Sequence, residues 1–241
     1  MVLQVLPLQL SDFEDLISHA TLHDPGDDLV GPPTPICWPP STPAAALSRA
    51  TFHFAKQRSR FLGDPTVRYM KVVDTGTVAS PKNSIISIAR WHFYPQGYNF
   101  ATQLHWELHA LTPPPPSELN VSLHNYILST RDEARSGWME PNEPCWILMH
   151  MVTRESQRGR GAAKMLIRWG IEQAERDGVP AYLEAGVMGR PVYEKLGFKQ
   201  VGELLEVDLR RHGIQSTFVM CKMAYFPAGY KTKDQLRDVT G

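Results

Sequence analysis

The feature that most constrains this chain is a nearly continuous apolar run over residues 145–152. It leads through a short polar stretch into the turn Arg158-Gly159-Arg160-Gly161-Ala162-Ala163 and straight on into an amphipathic helix. Such a run is a buried strand. The helix over 162–177 turns Met165, Leu166, Trp169 and Ile171 inward and stops at Gly178-Val179-Pro180. Gly161 lets the backbone approach a ligand closely, and Ala162 and Ala163 keep the first helical turn free of bulk, so its unpaired N–H groups can face an anion. The helix dipole favours a pyrophosphate there, and Arg158 and Arg160 supply cations at the rim.

Other phosphate and nucleic-acid motifs fit less well. The turn lacks the Gly-Lys-Ser/Thr ending of a Walker loop, and a dinucleotide fingerprint would want a third glycine and a later acidic residue. An RNA-binding Arg-Gly segment would repeat, whereas this one stops after a single unit inside a strand–turn–helix context. A plain basic turn remains the structural alternative.

The rest of the chain reads as alternating strands and helices. Residues 2–8 form a first strand, and Ser11 with Glu14 opens a helix through about His19. After a proline- and glycine-rich loop over 24–40, Thr42 as N-cap, Pro43 in the first turn and Gly63 past the end bracket a long helix. Its expected buried stripe is Leu47, Ala50, Phe54, Phe61 and Leu62. Residues 67–73 and 85–94 are an antiparallel strand pair joined by a turn over 74–84. An insertion over 95–144 contains Pro113-Pro114-Pro115-Pro116, then a helix capped by Ser117 with Leu119, Leu123, Tyr126 and Ile127 on one face. Beyond the glycine turn come a short strand over 181–185, a short helix over 190–196, and a closing hairpin of 199–207 with 217–223. The fold class is therefore α/β (α+β), a mixed, mostly antiparallel sheet with flanking helices, in one domain over 1–241.

Composition narrows the function. Lys and Arg number 25 and Asp and Glu 25, so there is no basic excess of a general nucleic-acid binder, and none is expected as a partner. The three cysteines, Cys37, Cys145 and Cys221, lack metal-site spacing, so neither a metal nor a disulfide is expected. No apolar run has the length of a membrane span, and the opening residues make a poor signal peptide. A cytoplasmic location follows, with the nucleus open to a chain of this size.

The glycine turn resembles the pyrophosphate motif of the GNAT superfamily of N-acetyltransferases, Arg/Gln-x-x-Gly-x-Gly/Ala, with Arg158, Gly161 and Ala163 in its fixed places. The likeness extends to fungal small-molecule-type members. It continues through Tyr182-Leu183-Glu184-Ala185 and Gly189 to Phe198, which is similar to the family's Tyr-x-x-x-Gly-Phe segment. The cofactor-binding core is thus 145–223. The resemblance implies acetyl-CoA as co-substrate, wedged between two splayed central strands, 145–152 and 181–185. It places the pantetheine and acetyl carbonyl against the backbone of Val152, Thr153 and Arg154. The amides of Gly159, Arg160, Gly161, Ala162, Ala163, Lys164 and Met165 would surround the pyrophosphate. Glu155 stands where a proline is usual, Gln157 where an aromatic or histidine is common, and Gly186 where many relatives have asparagine.

Acetyl transfer to an amine needs a neutral nucleophile, a donor to the developing oxyanion and a proton for the departing thiolate. By resemblance, Tyr193 supplies that proton; its alternative role is packing the short helix on the sheet. The oxyanion donor would be a backbone N–H near Val152. For the base, His150 shares a face with Leu148 and Val152 by the period-two rule, and Glu184 is an acid in an otherwise apolar strand. Both have structural alternatives, a hydrogen-bonded core histidine and an arginine-paired acid. The expected activity is transfer of acetyl from acetyl-CoA to the primary amine of a small molecule, in a ternary complex, by a monomer or homodimer. A protein or peptide amine, or a non-catalytic acyl-CoA sensor, are the alternatives.

Overall fold

The computed structural model describes residues 2–19, 27–39, 42–76, 85–101 and 115–231. Most of the 74–84 turn, the start of the 24–40 loop and Pro113-Pro114 lie outside these residues. Eight strands form one sheet in the order β1-β2-β3-β4-β5-β8-β6, with β7 also on β8. They are β1 (Leu3–Pro7), β2 (Val67–Asp74), β3 (Ile85–Tyr94), β4 (Cys145–Thr153), β5 (Ala181–Gly186), β6 (Lys199–Gln200), β7 (Leu205–Asp208) and β8 (Thr217–Tyr225). Every neighbouring pair is antiparallel except β4 and β5, which run parallel. The fold class is as expected. The first strand of the closing hairpin is instead two short pieces, β6 and β7, both on β8.

The helices are α1 (Asp12–His19), α2 (Thr34–Cys37), α3 (Pro43–Gly63), α4 (Val121–Arg135), α5 (Ala162–Asp177) and α6 (Arg190–Glu194). Helix α5 packs on one face, burying Leu166 and Ile167 against Met70, Val72, Ala89, Trp91, Trp146 and Leu148. Helices α1, α3 and α4 take the other face. Thr42 caps α3 as expected, its Oγ1 accepting from the Ala45 N–H at 3.1 Å. Helix α4 is capped by Asn120, not Ser117, through the Leu123 N–H at 2.9 Å.

Helix α3 departs from its expected stripe. Leu62 is 63% exposed, while Arg49, His53, Lys56 and Gln57 are buried. Those polar side chains escape a simple apolar count because each points to a partner or a polar space rather than to hydrocarbon. Arg49 pairs with Asp28 and donates to the Trp38 carbonyl at 3.3 Å, which ties residues 28–38 to α3. The same segment reaches β4, where a side chain at Gly31 would lie 2.5 Å from the Val152 side chain and 2.8 Å from His150 Nε2.

On the other face, a Cβ at Gly170 would sit 2.1 Å from the ring of Trp91, which is fully buried. This glycine sets how closely α5 approaches the sheet. Gly170→Ala should lower unfolding free energy by about 1–2 kcal/mol in urea titration, an overpacking cost that exceeds the gain in helix propensity.

Candidate active site

The site begins where two central strands part company. β4 and β5 pair only through Trp146–Ala181, Ile147–Tyr182 and Leu148–Leu183, although β4 runs on to Thr153 and β5 to Gly186. On its other edge β4 stays paired with β3 through Ser87–Thr153, with one register shift: Arg90 lies opposite His150 and Trp91 opposite Leu148, so Met149 is an extra, bulged residue. The bulge reverses the phase of the strand. Leu148 packs on the α5 face, while Met149 and His150 both face α3 and α4, and Met151 returns to the α5 face. The period-two expectation holds between His150 and Val152 and fails across the bulge to Leu148.

The backbone follows the same logic. The Arg154 N–H donates to the Ile86 carbonyl at 3.0 Å, and the Val152 carbonyl accepts from Ser87 Oγ at 2.9 Å, so both residues turn their polar groups toward β3. Alternation then directs the N–H groups of Met151 and Thr153 to the opposite edge, into the gap that β5 leaves. Sequence reasoning put the free donor near Val152, and the alternation makes Met151 and Thr153 the outward amides on either side of it. The Arg154 side chain is buried, and burial lowers its pKa to about 10.

At the end of β4 a short 3-10 turn (Glu155–Gln157) leads into Gly159 (φ 77°) and Gly161 (φ 87°), whose left-handed conformation suits glycine and brings the chain to the start of α5. Helix geometry leaves the N–H groups of Ala162, Ala163 and Lys164 without intrahelical acceptors, whereas that of Met165 is taken by the Gly161 carbonyl at 3.1 Å. A Cβ at Gly159 or Gly161 would meet no atom of the described residues within 4 Å. The two arginines divide their work. Arg158 is half exposed with only a 3.5 Å contact to Glu155, while Arg160 is held by Asp74 at 2.5 Å and by Gln157. Ser156 is fastened to Asp27 by bonds of 2.9 and 2.6 Å.

On the opposite face, α3, α4 and the ends of β3 and β4 enclose a cavity of about 80 Å³. A water needs roughly 10–15 Å³ on this measure, so the space suits a small polar group. Its lining includes Lys56, Arg60, Arg90, Arg131 and Arg135 against one lining acid among the described residues, Asp132. Burial and the surrounding cations hold three lining histidines neutral: His53 falls well below its ordinary value, and His124 and His150 fall to about 3. Burial, with Arg60 beside it, also brings Lys56 down to about 7. Neither this cavity nor the polar face of α3 was anticipated; the spacing of Arg49, His53, Lys56, Gln57 and Arg60 along one helix was the available signal.

The expected catalytic residues fall in different surroundings. His150 Nε2 accepts the Gly31 N–H at 3.3 Å, which puts the proton of the neutral ring on Nδ1. Its lone pair is occupied. Glu184 is bound by Arg135 through both oxygens, at 2.7 and 2.8 Å, and Arg135 also donates to Tyr98 at 3.0 Å. The arginine-paired alternative describes this acid. Tyr193 lies beyond the end of β5, on the α5 face, edge-on to Phe198 at 5.8 Å, and burial raises its pKa above the ordinary phenol value. Among the described residues no cluster of metal-ligating side chains occurs, and no helix is long and apolar enough to cross a membrane.

Residues 127–198, which span α4 to the end of the Tyr193 segment, match the model of the acetyltransferase (GNAT) family. A curated relative described as a probable acyltransferase SID5, from Ajellomyces capsulatus, is 35% identical over 57 residues; the match covers 24% of this chain and 42% of that one. The chain thus spans less than half the length of that relative. Among solved structures, the histone acetyltransferase HPA2 and related acetyltransferase from Corynebacterium glutamicum superposes with a TM-score of 0.55 at 19% identity, over 96% of this chain and 100% of that one. Arabidopsis thaliana NAA60, solved with acetyl-CoA, gives 0.52 at 13% identity, over 95% and 100%. At these identities the likeness is one of fold.

Two measurements check the electrostatics. Glu184→Gln removes one of the two carboxylates on buried Arg135, the other being Asp132 at 2.9 Å, and should cost about 1–3 kcal/mol of stability in denaturant titration. Lys56 keeps its proton to about 10.5 when unfolded but releases it near pH 7 in the folded protein. The folded state therefore binds fewer protons between these values, and stability relative to Lys56→Met should rise with pH across that window, by up to about 1.4 kcal/mol per unit. A flat difference between pH 7 and 9.5 would contradict the buried ammonium.

Proposed function

We propose that this chain, whose residues 127–198 match the model of the acetyltransferase (GNAT) family, transfers an acetyl group from acetyl-CoA to the primary amine of a small molecule, by direct attack in a ternary complex. One observation carries this reading: β4 and β5 separate after Leu148–Leu183, on the stretch of β4 that lies between the glycine turn and a cationic cavity lined by Met149 and His150 of the same strand. Donor and acceptor can therefore meet in the gap from different sides.

Each group of residues has a distinct task. The amides of Gly159, Gly161, Ala162, Ala163 and Lys164, with the Arg158 guanidinium, hold the pyrophosphate; Arg160 keeps the turn on Asp74. Acetyl-CoA supplies a thioester, an acyl donor already activated for attack by an amine. The Met151 N–H, with Thr153 as the next outward amide, donates to the carbonyl oxygen as negative charge develops there. Tyr193 gives its proton to the departing thiolate; a raised pKa keeps the phenol protonated at neutral pH. His150 fixes the strand against Gly31, and Glu184 fixes Arg135. The acceptor ammonium gives one proton to solvent before attack, and the proton that the nitrogen loses as the tetrahedral intermediate collapses returns to the Tyr193 phenolate, so the step closes without a further side-chain base. The small volume of the cavity supports a small-molecule acceptor over a folded protein surface. Within a single domain, helix α4 of the insertion serves as its wall.

Release of free CoA thiol from acetyl-CoA in the presence of an amine panel tests the reaction; binding of acetyl-CoA without amine-dependent release would establish a sensor instead. Tyr193→Phe should lower kcat by about 10²-fold while the KM for acetyl-CoA stays within about twofold. Unchanged kcat would remove the tyrosine as the acid.

A further inference from the structure

Lys56 and Arg90 bring positive charge into the cavity that no carboxylate among the described residues answers. Other buried or half-buried cations have carboxylate partners: Arg49 with Asp28, Lys71 with Asp12, Arg160 with Asp74 and, in the cavity itself, Arg131 with Asp132 and Arg135 with both Asp132 and Glu184. Among the described residues no carboxylate lies within ion-pairing distance of Lys56 or Arg90. The Lys56 ammonium sits instead 4.8 Å from the centre of the Phe52 ring. Arg90 is fixed by neutral partners. Its Nη1 donates to Gln57 Oε1 at 2.7 Å, and that amide oxygen is shared with the Tyr69 hydroxyl. Among the described residues its buried Nε has no acceptor, nor has the Nδ1 of His150 across the strand pair.

Burying a cation and a donor without a partner is costly, and a guanidinium steadied by neutral groups keeps its charge available to a ligand. We propose that the cavity binds an anionic group of the acceptor, a carboxylate, with Arg90 and Lys56 as its principal partners, so that the acceptor is an amino acid or an amine of similar charge. The planar guanidinium matches a carboxylate, and the neutral His150 Nδ1–H offers a further donor beside it. Arg60, on the turn of α3 after Lys56, adds positive potential. A dicationic amine with no acid would enter against the same charges. The name acceptor rests on the transferase reading above; the anion site does not.

The test separates the two. Calorimetry without any acetyl donor compares pairs that differ by one carboxylate: lysine with cadaverine, arginine with agmatine, and tyrosine with tyramine. The carboxylate-bearing member should bind at least about tenfold more tightly, and Arg90→Met or, should that variant not fold, Lys56→Met should abolish the difference. Equal or tighter binding of the decarboxylated members, or no binding of any carboxylate-bearing member at millimolar concentration, overturns the proposal. CoA release is then followed on the same pairs. Carboxylate-selective binding without release overturns the transferase reading and upholds the anion site; release that favours the decarboxylated amines overturns the anion site and upholds the transferase.

Discussion

The site depends on β4 having two different edges. Along one it is paired with β3 for its full length, and along the other it is paired with β5 only as far as Leu148. A strand abandoned on one side within a sheet exposes alternate amides and carbonyls that must find other partners. The bulge at Met149 decides which ones. It advances the phase by one residue, so that His150 turns to the cavity, the Met149 sulfur meets Arg135 at 3.2 Å, and Met151 offers its amide to the gap. Without that extra residue the cavity side and the core side of the lower half of β4 would exchange places.

A second theme is the contrast between the two faces of the sheet. Beneath α5 the packing is apolar and close, with Trp91 pressed against a helical glycine. Beneath α3 and α4 apolar clusters, with Ala50 and Phe54 in one and Leu123 and Ile127 in another, border a polar cavity to which the helices contribute arginines, a lysine and histidines. The apolar face supplies the stability that lets the other remain electrostatically unbalanced. This division is common where a rigid scaffold supports a site that costs stability.

Much of the frame was legible beforehand because it rests on local signals. Thr42 before Pro43 marks the start of α3, and the glycine turn between an apolar strand and an amphipathic helix marks the start of α5. What escaped notice depends on contacts distant in sequence. The Met149 bulge is visible only against β3, so strict alternation wrongly put Leu148 on the same face as His150. Glu184 reads as an acid in an apolar strand, but its partner Arg135 lies on another element. Arg160 looks like a twin of Arg158 until Asp74 at the end of β2 is placed beside it. The polar face of α3 was overlooked because buried Lys56 and Gln57 imitate a solvent-facing stripe.

The Arg135–Glu184 pair joins the insertion to the central sheet and fixes α4 as a wall rather than a door. Its fork is buried, and swinging α4 away would leave Glu184 without its partner and Arg135 with only Asp132 of its own helix. Asp132 and, through it, Arg131 belong to the same charged network, whereas His124 and Leu128, which α4 also sends into the cavity, take no part in it. One end of the helix is thus anchored to the machinery while the remainder is exchangeable. A lineage can rewrite what enters the cavity by substitutions along a single helix, leaving the strand gap and the glycine turn untouched.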